Sequence, residues 1–209
     1  QRKIAFTNTT SFGVEVWVVD LVKNSSKRLT NPKVNANLKD VINWFKDGES
    51  VLVKMIPSGK KDLINTDKSI PLGPIISVND GKKAQNRTYQ DLLKNKNDEY
   101  NFETLALSSL YKVSLDGKNT KWLEEGMYSS INFSPDGEYV MITTIEKPFS
   151  YLVPYYRFPS KTVIYTKNGK KIETVVEVPL IEDLPKGFMA VRQGRRNFNW
   201  RSDKPSSLI

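Results

Sequence analysis

The 209-residue sequence has no cysteine and no histidine. Without cysteine there can be no disulfides and no thiolate metal ligands, an absence that suits a reducing and an oxidising compartment equally. Without histidine the chain cannot by itself build a hydrolase triad in which an imidazole takes the proton of a serine or cysteine nucleophile. No catalytic residue is therefore expected. No run of about 18 apolar residues occurs, and no charged start leads into an apolar core, so neither a membrane partner nor a signal peptide is expected. Gly-rich phosphate loops are absent too. The chain begins at Gln1 rather than at an initiator Met, which suggests a segment of a longer protein.

What is present is enough to fold. With 38% hydrophobic residues, the chain can form one large all-β domain or two small ones. The net charge of +9 raises the question of nucleic acid. Lys60-Lys61, Lys82-Lys83 and Lys170-Lys171, however, each adjoin Gly or Asn, the pattern of solvated turns rather than of a continuous basic stripe. Nucleic acid is not an expected partner.

The strongest organising signal is an internal repeat. Asn43-Trp44-Phe45-Lys46-Asp47-Gly48-Glu49 aligns with Asn132-Phe133-Ser134-Pro135-Asp136-Gly137-Glu138, and again with Asn199-Trp200-Arg201-Ser202-Asp203-Lys204-Pro205. Each copy places an aromatic at a strand end and a tight turn after it, with Asp-Gly reversing the chain in the first two. Further strand pairs follow, at Glu15 to Leu21 with Ser26 to Thr30, Ser109 to Leu115 with Thr120 to Glu124, and Thr162 to Lys167 with Lys171 to Val178. Repeated units of four short antiparallel strands define the blades of a β-propeller, because each such sheet buries both faces against its neighbours.

The expected fold is thus all-β, a partial β-propeller of about three blades of four antiparallel strands, with a short helix in an insertion. Blades are expected at about 1–30, 40–125 and 127–178, with the opening of another at about 195–209. Insertions fall at about 58–103 and 147–161. In the first, Thr88 is placed to cap a helix over the Asn86 to Leu93 stretch. The second is the most distinctive part of the chain, with prolines 148, 154 and 159, five aromatics from Phe149 to Phe158, and Arg157. Two roles suit such a loop: a plug packed over a blade, or a sticky contact surface.

Lys147-Pro148-Phe149-Ser150-Tyr151-Leu152-Val153-Pro154-Tyr155-Tyr156-Arg157-Phe158-Pro159 resembles a signature of glutamyl endopeptidases and their bacterial relatives, within the prolyl oligopeptidase family. Arg87-Thr88-Tyr89-Gln90-Asp91-Leu92-Leu93-Lys94, Asn8-Thr9-Thr10 with Trp17 and Asp20, Pro179-Leu180, Ala190-Val191-Arg192 and Asn199 to Pro205 resemble the same family. The resemblance implies a propeller that precedes a serine-type α/β-hydrolase domain and controls which peptide substrates reach it. It implies that the hydrolase domain is the partner of this segment, that the triad lies outside it, and that the setting is periplasmic or secreted. The competing possibility is a propeller that acts alone as a protein-interaction module.

A peptidase that selects acidic side chains needs a cation, and Arg presents a planar two-pronged donor that suits a carboxylate. Arg87, Arg157, Arg192, Arg195 and Arg196 are the candidates, led by Arg157 in its stiff aromatic setting. Tyr155 and Tyr156 beside it, with Arg87 and Arg192, complete the expected substrate-binding set. For each Arg the alternative is a salt bridge or a bond to a loop carbonyl. No cofactor and no metal is expected. The turns at Asp47, Asp116 and Asp136 lack the alternating ligands of a calcium loop, and Glu124-Glu125 and Glu182-Asp183 each point to opposite faces if they lie on strands. A propeller with uncovered end blades would expose on the order of 400 Å² of apolar face, worth roughly 10 kcal/mol at ~25 cal/mol per Å², so a dimer through blade edges is expected of the segment alone.

Overall fold

The computed structural model describes residues 2–65, 89–182 and 190–209. Its N-terminal sheet is antiparallel and three-stranded, with β1 (Lys3–Thr10), β2 (Gly13–Asp20) and β3 (Ser25–Arg28) in sequence order. Seven further strands follow: β4 (Ile42–Trp44), β5 (Ser50–Met55), β6 (Ser108–Ser114), β7 (Asn119–Phe133), β8 (Tyr139–Ile145), β9 (Ser160–Thr166) and β10 (Lys171–Val178). They too lie in sequence order, every pairing antiparallel. Helix α1 (Lys96–Ala106) sits in the insertion between β5 and β6. Among the described residues no helix is long and apolar enough to cross a membrane.

The repeat predicts separate four-stranded sheets, whereas the hydrogen bonding runs unbroken from β4 to β10. The reason is β7, a single strand of 15 residues that runs through Gly126 without turning. Its first half pairs with β6 as far as Gly126, and its second half pairs with β8 from Met127 onward. Register shifts flank the handover, at Ser109 to Tyr111 in β6 and Tyr128 to Ser130 in β7. Such bulges bend a strand and sharpen its twist, which lets one strand serve two sheets. Gly126 permits the handover: a Cβ there would lie 3.1 Å from the Tyr128 ring, whose hydroxyl donates to the Glu124 carbonyl at 2.6 Å.

Strand β5 shows how the sheets stack. It is buried on both faces, so its apolar residues run continuously instead of alternating with polar ones. Val51 and Val53 join Val16, Val18, Leu29, Val34 and Val113 in one core, between the three-stranded sheet and the next. Leu52, pointing the opposite way, joins Phe45, Leu110, Tyr128, Ile131, Val140 and Ile142 in a second core. Val34 also stitches the first junction, bridging Val14 on one side and Met55 on the other. These stacked antiparallel sheets make the fold an open, partial β-propeller.

The repeated hairpins touch one another in series, and the first also meets β1. Lys3 Nζ meets the Glu49 carboxylate at 2.7 Å, Lys46 Nζ donates to the Pro135 carbonyl at 2.7 Å, and the Asp136 N–H donates to the Pro205 carbonyl at 3.0 Å. Gly137 (φ 75°) fits where a Cβ would come within 2.5 Å of the Lys46 Cβ, so glycine serves both the turn and the close approach. The Asp residues act within their own turns. Asp47 accepts the Glu49 and Ser50 N–H groups, and Asp136 accepts the Glu138 N–H. The third copy lacks Asp-Gly, and there Asp203 pairs with Arg201 while Trp200 bridges to Leu208. Trp44 and Trp122 pack against the two cores, whereas the indoles of Trp17 and Trp200 bond the Glu15 carboxylate and the Asn132 carbonyl.

The helix lies further along the insertion than its expected place. Thr88 is outside the described residues, and Tyr89 to Leu93 is not helical: Asp91 sits at φ 55°, a left-handed conformation that a right-handed helix excludes. The cap is Asn95, whose side chain accepts the N–H groups of Asn97 at 2.9 Å and Asp98 at 3.0 Å. Tyr89 and Leu93 instead pack with Phe102 of α1 against a third core of Ala106, Met127, Ile145, Val153 and Phe158.

Candidate functional site

The proline-rich connection between β8 and β9 closes on itself through the Glu146 N–H and the Pro159 carbonyl, 2.7 Å apart. Its prolines and a 3-10 turn over Tyr155–Arg157 stiffen it. Its aromatics divide between inward-packed and exposed positions. Phe149 and Phe158 turn inward and pack on Phe102 of α1, with ring centroids 5.2 and 5.7 Å from it. Tyr151, Leu152, Tyr155 and Tyr156 remain exposed. Polar contacts fix the arrangement: Ser150 Oγ donates to the Glu182 carboxylate at 2.6 Å, and Lys147 pairs with Glu103 at 2.8 Å. The Tyr151 hydroxyl, assisted by Lys96, holds the Glu99 carboxyl below its ordinary range.

Two clefts flank this loop, with Tyr156 and Phe158 in the wall of both. One has a volume of about 220 Å³ and brings Tyr155 and Tyr156 opposite Leu38 and Lys39, which precede β4. The other, about 290 Å³, brings Tyr156 together with Arg192, Arg196, Asn132 and Thr162. Of the expected substrate-binding residues, the structure therefore gathers Tyr155, Tyr156 and Arg192 around one loop.

Arg157 lines neither cleft. Its guanidinium lies 5.2 Å from the centre of the Tyr89 ring, a cation–π stack, and its carbonyl accepts the Ile181 N–H at 3.1 Å. The Tyr89 hydroxyl is buried there without a hydrogen-bond partner among the described residues. Arg87 lies outside the described residues. Arg192 donates to the carbonyls of Gln193, at 3.0 Å, and Arg195, while Arg196 donates weakly to the Arg192 carbonyl at 3.5 Å. These are loop-carbonyl bonds, and among the described residues neither guanidinium has a carboxylate partner. Arg195 is exposed.

Lys39 and Lys54 were not legible as site residues in the sequence. Among the described residues, Lys54 in β5 is the largest fully buried side chain, its ammonium donating to the Asn37 carbonyl at 2.8 Å and the Lys39 carbonyl at 2.5 Å. Burial pulls its pKa down to about 8, partly offset by Asp40. No local pattern marks either residue. Both matter only through the strap at 35–40, which the fold lays between sheets.

Stacked antiparallel sheets joined by a shared strand, with an aromatic loop and cationic clefts at one junction, place the chain among open propeller segments rather than closed domains. No family model matches the chain. It is 35% identical over 204 residues to a probable chloroplastic glutamyl endopeptidase of Oryza sativa subsp. japonica, covering 96% of this chain and 22% of that protein. It is 36% identical over 202 residues to the protein of the same name in Arabidopsis thaliana, covering 92% of this chain and 20% of that protein. The chain is thus a propeller segment related to part of the glutamyl endopeptidases, and it spans about a fifth of the length of the curated relatives it matches. Its fold is also similar to that of a putative TolB from Agrobacterium tumefaciens, with a TM-score of 0.50 and 10% identity over 84% of this chain and 46% of that one.

Proposed function

We propose that this chain is a non-catalytic propeller segment that gates and selects peptide substrates for a serine-type α/β-hydrolase domain outside these 209 residues. In this reading the blades are about 1–30, 40–125 and 127–178, with another opening at about 195–209. The observation that carries the proposal is the divided loop at 147–158. Its inward aromatics fix it rigidly, and its outward tyrosines stand beside guanidinium groups that no carboxylate of the described residues satisfies. A rigid rim that is both apolar and cationic favours peptides with acidic side chains. Arg192 is the foremost candidate contact, with Tyr155 and Tyr156 beside it. Arg157 and Arg87 are second, the former because its guanidinium face is already stacked on Tyr89.

The test compares the chain alone with the longer protein that carries it, on peptides containing Glu or Asp. The chain alone is expected to hydrolyse none. In the longer protein, Arg192→Gln is expected to raise KM for acidic peptides roughly tenfold, the scale of one charge-assisted hydrogen bond, with kcat nearly unchanged. Hydrolysis by the isolated chain, or an Arg192→Gln effect equal on acidic and neutral peptides, would overturn the reading.

A further inference from the structure

The cleft of about 220 Å³ has a lining unlike the other. Leu38, Ile145 and Phe158 form its apolar part, the rings of Tyr155 and Tyr156 stand edge to face with centroids 6.0 Å apart, and Lys39 lies at its margin. Its volume is below the roughly 300–1,000 Å³ of a whole small-molecule site, which leaves room for a single side chain. Ser129, also in the lining, spends its hydroxyl on the Thr143 carbonyl at 3.1 Å. The Lys39 ammonium is exposed and has no anionic partner among the described residues, and the hydroxyls of Tyr155 and Tyr156 have no hydrogen-bond partner there either.

The strap that carries Leu38 and Lys39 is held from several directions. Lys54 donates to the carbonyls on both sides of Leu38, and Asn35 Nδ2 donates to the carbonyls of Leu105 and Leu107, each at 2.9 Å. The Asp40 carboxylate accepts the Ile131 N–H at 3.0 Å. Leu38 and Asp40 both sit in the left-handed region, at φ 60° and 59°. For a branched side chain such as leucine that conformation is unfavourable and persists only where the surroundings impose it, a kind of strain concentrated at binding sites. The backbone that carries Leu38 and Lys39 is therefore set in place before any ligand arrives, which lowers the entropy lost on binding.

We propose that this cleft is a side-chain pocket for an aromatic residue of a peptide whose adjacent residue carries a carboxylate. The ring lies against Tyr155, Tyr156 and Phe158, which suits edge-to-face packing, and the carboxylate meets the Lys39 ammonium. The pocket deepens the selecting role proposed above and rests on that reading for its biological use. It adds an aromatic requirement, on a surface that does not include the Arg192 guanidinium.

The test is peptide binding to the 209-residue chain itself, read by fluorescence anisotropy with the labelled, end-blocked sequence Ala-Phe-Asp-Ala. Replacing Phe by Ala in the peptide is expected to weaken binding tenfold or more, the scale of burying one large apolar side chain. Replacing Asp by Asn should weaken it about threefold, as for an exposed ion pair. In a Lys39→Met chain, the Asp and Asn peptides should bind equally. Tyr156→Ala, at an exposed position that should leave folding intact, is expected to weaken the Phe peptide about threefold. Absence of saturable binding, equal affinity for the Phe and Ala peptides, or an Asp preference that persists in Lys39→Met would each overturn the proposal. Because binding is read without turnover, failure here leaves the gating test intact, and failure of gating leaves a positive binding result intact.

Discussion

Lys54 is the residue at which charge and packing conflict most directly. The residue is only 1% exposed, and its ammonium is accommodated by donating to two carbonyls of the strap at 35–40. In the unfolded chain the amine titrates near its ordinary value of 10.5, and in the fold near 8. Between those values the unfolded chain holds the extra proton, so this group adds stability as pH rises through the interval and removes it as pH falls through 8. Urea denaturation at several pH values from 7.5 to 10.5, on the wild type and on Lys54→Met, isolates the effect. The stability difference, wild type minus variant, is expected to grow with pH, and a flat difference would refute it. Nothing in Ser50-Val51-Leu52-Val53-Lys54-Met55 foretells this role, because the residues that receive the ammonium lie 15 and 17 positions away along the chain.

At the scale of elements, the hairpins were legible because their signals are local. Asn-aromatic followed by Asp-Gly fixes a strand end and a turn within a few residues, and both Asp47 and Asp136 bond inside their own turns. The helix was legible only as present. Its start depends on the choice between Thr88 and Asn95 as cap, and that choice is made by tertiary packing of Tyr89 and Leu93. The unbroken strand β7 was likewise hidden, since Gly126 reads as a break in sequence but acts as clearance for the Tyr128 ring. The loop at 147–158 carries its own prediction. Phe158, 3% exposed, packs against Phe102 and Phe149, so Phe158→Ala should cost about 3–5 kcal/mol in chemical denaturation. Tyr156→Ala should stay within about 0.5 kcal/mol of wild type. Equal effects would mean that the loop is not anchored by its inward rings.

At the scale of the whole molecule, stability comes from sheets covering one another, and β5 makes this possible by serving two cores at once. The repeat in the sequence was sufficient to indicate that architecture, because aromatics at hairpin ends recur wherever a sheet must meet its neighbour. The clefts were not legible in the same way. Arg192 reaches the surface of β7 to β10 only through the return of the segment at 192–198, and Lys39 faces Tyr155 only because the strap crosses between sheets. Methyl–methyl nuclear Overhauser contacts in the 209-residue chain test the stacking most directly. Val51 and Val53 should show contacts to Val16 and Val34, and Leu52 should show contacts to Ile131 and Val140, with no exchange of partners between the two sets. Contacts from Val51 and Leu52 to the same set of methyls would contradict stacked sheets.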